Sequence, residues 1–282
     1  MMTNTQTLGK TNYYAAICGI KVYVDYANER LKIFDAGGID KAALVEIIGF
    51  ARYKNLGKVI CNSCADSLPH FKSCGFTEEG RIEGFFSGKD SYCMSFFTDE
   101  KRAISRKSDE ADKTISLCDE KRKSQPQRDA LYRIRTANPS DILQMTSIFK
   151  RIFETYPSPV FDAGYLLQTM SENVLFKIAE KNSEIVGIAS ADMDAPNLNA
   201  EITDCATLPE HRGNGILSLL IMSLEDELIS KGFKTLYSLS RAVNPGININ
   251  LARLNYSYNG RLINNCHICG GYEDMNIWVK QL

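Results

Sequence analysis

No stretch of these 282 residues comes near the roughly 18 consecutive apolar positions that a membrane-spanning helix needs. The opening MMTNTQTLGK also lacks the apolar core of an export signal. Charge of one sign is missing too: 33 Lys and Arg stand against 34 Asp and Glu, a formal charge of −1. Binding nucleic acid mainly through charge would need a basic excess or a basic stripe, so that class of function is disfavoured. These absences lead us to expect a soluble, cytoplasmic protein with neither a membrane nor a nucleic-acid partner. Histidine is scarce. His70, His211 and His267 show no spacing that would make a ligand set or a catalytic dyad.

Cysteine is the opposite case. Nine are present, and a reducing compartment would keep them free. Cys61 with Cys64 and Cys266 with Cys269 have Cys-x-x-Cys spacing, and four thiolates could hold zinc. The pairs lie about two hundred residues apart, each beside a β-like segment rather than in a knuckle loop. Buried, inert thiols are the better reading, and no metal is expected.

The length allows about two domains at roughly 150 residues each. VYVDY (22–26) and LKIFD (31–35) read as a hairpin, and DKAALVEIIGFARYKN (40–55) as a helix with Asp40 as N-cap and Gly57 as its stop. A short strand at 58–61, a short helix near 66–73 and strand-like sequence to Phe97 complete an α/β domain over 1–98. From Asp99 to Arg128, sixteen of thirty residues are charged with signs interspersed, and glycine is absent. That favours a solvated, charged helical linker over 99–130, closed by Gln125-Pro126-Gln127. Residues 131–282 then read as strand 131–135, a helix capped by Ser140, the loop TYPSPVF (155–161) and a short helix near 163–172. Strands follow at 174–181, 184–194 and 200–208, then a long amphipathic helix ending at Gly232, strand 235–240, a helix around 246–254 and two β segments.

The chain also repeats itself. CGFTEEGRI (74–82) and LNYSYNGRL (254–262) each place an aromatic, Phe76 or Tyr256, four residues before Gly-Arg-apolar. Met94 and Met275 follow those glycines at 14 and 15 residues. The matching order of elements makes a duplicated half-domain the better reading.

The segment 201–232 carries the chemistry. A β segment runs into Arg212-Gly213-Asn214-Gly215 and straight into the long helix. Alternate glycines permit a tight turn with its N–H groups exposed, and a helix N-terminus favours an anion, here a pyrophosphate. No third glycine and no downstream acid complete a Rossmann fingerprint, and the Walker Lys-Ser/Thr is absent.

CATLPEHRGNGILSLLI (205–221) resembles the acetyl-CoA-binding motif of the GNAT superfamily of N-acetyltransferases, with Glu210 standing where the family pattern has Gln or Arg. The resemblance covers roughly 131–282. It implies a mixed, mostly antiparallel sheet flanked by helices, α/β (α+β) in class, preceded by a degenerate GNAT-like half-domain. It also implies acetyl-CoA as co-substrate. The backbone of Cys205, Ala206 and Thr207 would pair with the pantetheine arm as with an added strand. The N–H groups of Arg212, Gly213, Asn214, Gly215, Ile216 and Leu217 would hold the pyrophosphate, His211 giving only backbone, and Asn244 would flank the arm. Leu251 stands where the family often has a tyrosine acid, which leaves the acid unassigned. Glu201, in an A-E-x-x-x-C-A context, corresponds to the glutamate base of lysine-acetylating members. In a regular strand Asp204 would face away from Glu201, and a bulge would change that.

FETYPSPVFD (153–162), AEITDCATLPEHRGNG (200–215) and the segment 240–279 extend the resemblance to the β-lysine N-acetyltransferases, as does the N-terminal half-domain. That implies a small diamino acid substrate and the product N6-acetyl-β-lysine, a compatible solute made in osmoadaptation. For such a substrate, Arg241 is the first choice for the carboxylate, although it could instead pair with a structural carboxylate. Asp204, Glu154 and Asp162 compete for the β-ammonium, and Phe153, Tyr156 and Phe161 would form an apolar sleeve. A homodimer is compatible with this reading. Two alternatives stay open: a GNAT enzyme for another primary amine (polyamine, antibiotic or protein lysine), and a non-catalytic acetyl-CoA-sensing module.

Overall fold

A computed structural model describes residues 11–34, 37–123 and 131–282 of the chain. The linker signal Gln125-Pro126-Gln127 and the end of LKIFD therefore lie outside the described residues. Two compact units emerge: Met1–Glu79 with Tyr92–Ile104, and Gly80–Ser91 with Ser105–Leu282. The expected boundary near residue 98 thus differs from the division by a few residues at one place and by a whole segment, 80–91, at another.

The first unit contains β1 (Tyr13–Ile17), β2 (Ile20–Asp25), β3 (Arg30–Ile33), α1 (Lys41–Tyr53), β4 (Lys58–Ser63) and α2 (Leu68–Ser73). The chain continues through β5 (Thr77–Phe86) and β6 (Lys89–Phe97), whose outer parts belong to this unit. Its strands run in the order β1-β2-β3-β4-β6, all antiparallel except β3 with β4. Asp40 caps α1 by accepting from the Ala43 N–H at 2.8 Å, as its position ahead of an apolar-periodic run predicts. Gly57 is not the stop. The helix ends at Tyr53, and Asn55 takes the left-handed turn at φ 55°. Gly57 is a glycine for another reason: a Cβ there would sit 2.9 Å from Arg102 Cδ. Arg102 is buried and donates at 2.6 Å to the carbonyls of both Glu29 and Asn28.

The second unit holds α3 (Ser108–Lys121), β7 (Arg133–Thr136), α4 (Ile142–Ile152), α5 (Ala163–Glu172), β8 (Val174–Lys181), β9 (Glu184–Asp194) and β10 (Asn199–Thr207). It ends with α6 (Ile216–Ser230), β11 (Thr235–Arg241), α7 (Pro245–Arg253), β12 (Ser257–Ile268) and β13 (Gly271–Gln281). The sheet order is β12-β13-β11-β10-β9-β8-β7, and its single parallel pairing is β10 with β11. This is the mixed, mostly antiparallel sheet flanked by helices that was expected. One core cluster joins the sheet to α6 and α7, and a second joins it to α4 and α5.

Three local expectations change. Asn138, not Ser140, opens the first helical segment, through a reciprocal capping box with Asp141. The charged linker is not solvated all round: α3 buries Ala111, Thr114 and Cys118, and Arg122 just beyond it donates to the Tyr256 carbonyl at 3.0 Å. The repeated glycines meet, since Gly80 is the register partner of Gly260.

Candidate active site

The site follows from a ladder that stops. β10 and β11 pair only at Asn199–Thr235, Ala200–Leu236 and Glu201–Tyr237. Beyond Glu201, β10 runs on to Thr207, while β11 stays paired to β13 as far as Arg241. The two strands part. Where they begin to separate, the Ser238 hydroxyl donates to the Ile202 carbonyl at 2.7 Å, standing in for the lost ladder bond. A cavity of about 670 Å³ occupies the gap, lined on one side by Ile202–Cys205 and Thr207 and on the other by Ser238–Arg241.

The turn at the cavity mouth obeys its glycines. Gly213 sits at φ 84° and Gly215 at φ 75°, a region that costs a residue with a Cβ dearly. A Cβ on Gly213 would meet none of the described residues within 4 Å, so the turn opens onto space. Gly215 is also the N-cap of α6 and offers no side-chain acceptor, which leaves the first N–H groups of a fifteen-residue helix for a ligand. Arg212, Gly213, Gly215, Ile216 and Leu217 line the cavity, as do Cys205, Thr207 and Asn244. Ala206 and Asn214 do not. Ala206 turns into the core beside α4, and the Asn214 amide donates to the Tyr132 hydroxyl and the His211 carbonyl, both at 3.2 Å. His211 contributes more than backbone, because its Nδ1 lies 3.1 Å from that same hydroxyl and the residue lines the cavity. Glu210 forms a bidentate ion pair with Arg151 at 2.9 and 3.1 Å, tying the turn to α4.

β10 carries a bulge. Thr203 pairs with Ser190 but Ala206 with Ile188, so one residue is extra, and Asp204 takes φ 48°. The bulge swings Asp204 onto the face of Glu201 and Thr203, where it accepts from the Ser190 hydroxyl at 2.7 Å and from the Tyr156 hydroxyl. Burial raises the Asp204 carboxyl above the usual carboxylate range against those two hydrogen bonds, and Asp192 adds to the rise. Burial likewise pushes up the Tyr156 hydroxyl and the Cys205 thiol, so the cysteine in this cavity is no ready thiolate.

Glu201 is half-buried at the closed end of the gap, with Asp192 and Tyr237 as register partners. It does not line the cavity, whose wall begins one residue later at Ile202. Thr203, on the same face about 7 Å along the strand, does. Arg241 lines the cavity too, and it already has a carboxylate: its Nη2 is 3.2 Å from Glu273 Oε1, which Lys107 also reaches at 3.0 Å. Its Nη1 contacts Cys269 Sγ at 3.3 Å, and its buried Nε has no partner among the described residues.

From the loop after α4, Phe153 and Tyr156 face the cavity with ring centroids 4.6 Å apart. The other three expected substrate residues do not line it. Phe161 packs into the core under α4 and α5. Asp162 caps α5, accepting from the Tyr165 N–H at 2.8 Å. Glu154 is exposed, and Gly270 lies against it. Leu251 is wholly buried in the core and turned from the cavity. Thr203, Ser218, Ser238, Ser240 and Asn250 are among the polar lining residues that the sequence did not point to. Asn248 and Asn250, alternating with isoleucines on α7, were the available signal. The buried Asn248 accepts from Ser240, Asn276 and Trp278 and so fixes the base of α7, while Ser218 bonds the Asn250 side chain.

Known proteins are similar to this chain in sequence. The family model described as "Acetyltransferase (GNAT) family" matches residues 142–256. A β-lysine N(6)-acetyltransferase of Methanosarcina mazei is 38% identical over 251 residues, covering 81% of this chain and 93% of the relative. The N-acetyltransferase YodP of Bacillus subtilis is 33% identical, covering 94% of this chain and 97% of the relative. A β-lysine N(6)-acetyltransferase of Methanococcus maripaludis is 31% identical, covering 92% and 95%.

Proposed function

The chain belongs to the GNAT family of acetyltransferases, and from that premise we propose that it transfers the acetyl group of acetyl-CoA to the ε-amine of β-lysine. The observation that carries the acceptor is the near full-length similarity to two β-lysine N(6)-acetyltransferases. The parted strands and the uncapped glycine turn fit the cofactor.

Acetyl-CoA supplies the acyl group as a thioester. The N–H groups from Arg212 to Leu217 hold its pyrophosphate, and the unpaired edge of β10 at Cys205–Thr207 takes its pantetheine amides. The α7 N-terminus at Asn244 flanks that arm. The acceptor presents an ammonium with a pKa near 10.4, so only about one molecule in 2,500 is neutral at pH 7, a deficit of about 4.6 kcal/mol. Glu201 removes the proton. Since it stands just behind the cavity wall, one water on the Thr203 side carries the proton to it. Arg241 receives the substrate carboxylate: with Lys107 and Glu273 it forms a cluster of two cations and one anion, leaving one positive charge unmatched. Phe153 and Tyr156 wall the methylene chain. The product is zwitterionic at its head and neutral at its tail, which suits a compatible solute accumulated in osmoadaptation, because it adds osmolality without net charge.

Release of free CoA, measured with β-lysine, α-lysine, ornithine, spermidine and hexylamine as acceptors, tests this reading. The highest kcat/KM should belong to β-lysine. Equal rates on β-lysine and hexylamine would overturn it.

A further inference from the structure

Asp204 is held in a way that its fold alone does not require. It is 9% exposed, yet it lines the cavity. Its hydrogen-bond partners are two neutral hydroxyls, Ser190 on β9 and Tyr156 on the loop after α4. Among the described residues, the titratable groups facing it are Tyr156 from that loop, Cys205 on its own strand and Asp192 on β9, and none is a cation. A carboxyl so enclosed either keeps its proton or waits for a positive charge. The bulge makes the placement deliberate: without the extra residue, Asp204 would project to the opposite face, toward α6. Aspartate also tolerates the left-handed φ of 48° better than most residues.

We propose that Asp204 seats a second, non-reacting ammonium of the acceptor, making the enzyme selective for diamines over monoamines. This rests on the acetyl-transfer reading above. Of the three acidic residues that could have played the part, Asp162 is spent on a helix cap and Glu154 lies outside the cavity. Asp204 is not the base. A base must alternate between charged and protonated forms during turnover, whereas a seat for an ammonium must stay charged while the substrate is bound. Glu201, on the same strand face, is left for the base. When the second ammonium arrives, it pairs with the Asp204 carboxylate beside the Tyr156 hydroxyl.

The test compares β-lysine with 6-aminohexanoate, which is the same molecule without its β-amine. Wild-type enzyme should favour β-lysine in kcat/KM by about a hundredfold or more, the usual scale for a buried, hydrogen-bonded charge pair. Asp204→Asn should erase that preference by lowering kcat/KM for β-lysine alone, mainly through KM, with 6-aminohexanoate changed less than about threefold. Calorimetry on the unaltered enzyme saturated with CoA needs no variant. That enzyme should bind β-lysine at least about tenfold more tightly than 6-aminohexanoate. Equal losses on both acceptors in Asp204→Asn would make Asp204 part of the general machinery and overturn the proposal. So would equal affinity of the unaltered enzyme for the two ligands. If wild-type enzyme acetylates neither, the function itself falls, a result distinct from a loss of preference between two working acceptors.

Discussion

A carboxyl that bonds only hydroxyls inside a protein burdens the fold at neutral pH. Burial raises the Asp204 pKa, so the folded chain holds that proton more tightly than the unfolded chain does. Stability therefore falls as pH rises from the ordinary aspartate value through the raised one, and stays lower above it. Asp204→Asn should raise Tm at pH 8 by a few degrees and at pH 5 by less, since about 1 kcal/mol moves Tm by about 2–4 °C at this length. A thermal melt showing a lower Tm at pH 8 would mean that the carboxylate is already matched. Glu201→Gln tests the base: kcat at pH 7 should drop about 10²- to 10⁴-fold, and the deficit should narrow at higher pH as free amine accumulates. A wild-type kcat at pH 7 would remove Glu201 from the mechanism. Residue types were legible where their chemistry is local. Asp40 could be read as a cap because capping depends on three neighbouring positions, and by the same rule Asp162, ahead of Tyr165, should have been read as a cap before it was considered for a substrate. Asp204 was only half legible, because its face depends on a bulge that no period-two pattern displays.

Elements were more legible than residues. β8 and β9 span the residues that their apolar runs indicate, and α6 starts where the glycine turn releases it. What the pattern could not carry was how closely α6 lies on the sheet. A Cβ on Gly187 of β9 would stand 2.8 Å from Ile216 Cγ2 and 3.4 Å from Leu220 Cδ1. Ile216 is the first residue of α6, so Gly187→Ala should push the helix start outward and displace the N–H groups proposed to hold the pyrophosphate. The expected result is acetyl-CoA affinity about tenfold weaker by calorimetry, with a stability loss of about 1–3 kcal/mol from overpacking. Gly213→Val acts at the other end of the same device. Its side chain enters the open space at a φ of 84° and should abolish cofactor binding outright. Unchanged acetyl-CoA affinity in Gly213→Val would remove the turn from the cofactor site.

At the scale of the whole molecule, the repeated Gly-Arg-apolar segments were visible in the sequence, but their meeting was not. A Cβ on Gly80 would lie 2.5 Å from Ile277 Cδ1, 2.7 Å from the Asn259 carbonyl oxygen and 3.1 Å from the Gly260 Cα. Two backbone atoms cannot step aside as a side-chain tip can. Gly80→Ala should therefore lower the urea midpoint by the equivalent of about 1–3 kcal/mol, and an unchanged midpoint would show that the Gly80–Gly260 contact carries no weight. The division into units was hard to read because the change at Gly80 falls within one strand, β5, without any shift in composition. The parted strands also have a consequence outside chemistry. If the co-substrate binds as proposed, it completes the sheet interrupted between β10 and β11, and filling the gap would add binding energy to folding, about 2.7 kcal/mol at a hundredfold excess over Kd. Proteases that attack transiently opened chains would then clear this protein fastest in cells short of acetyl-CoA, tying its lifetime to the carbon supply that its reaction consumes.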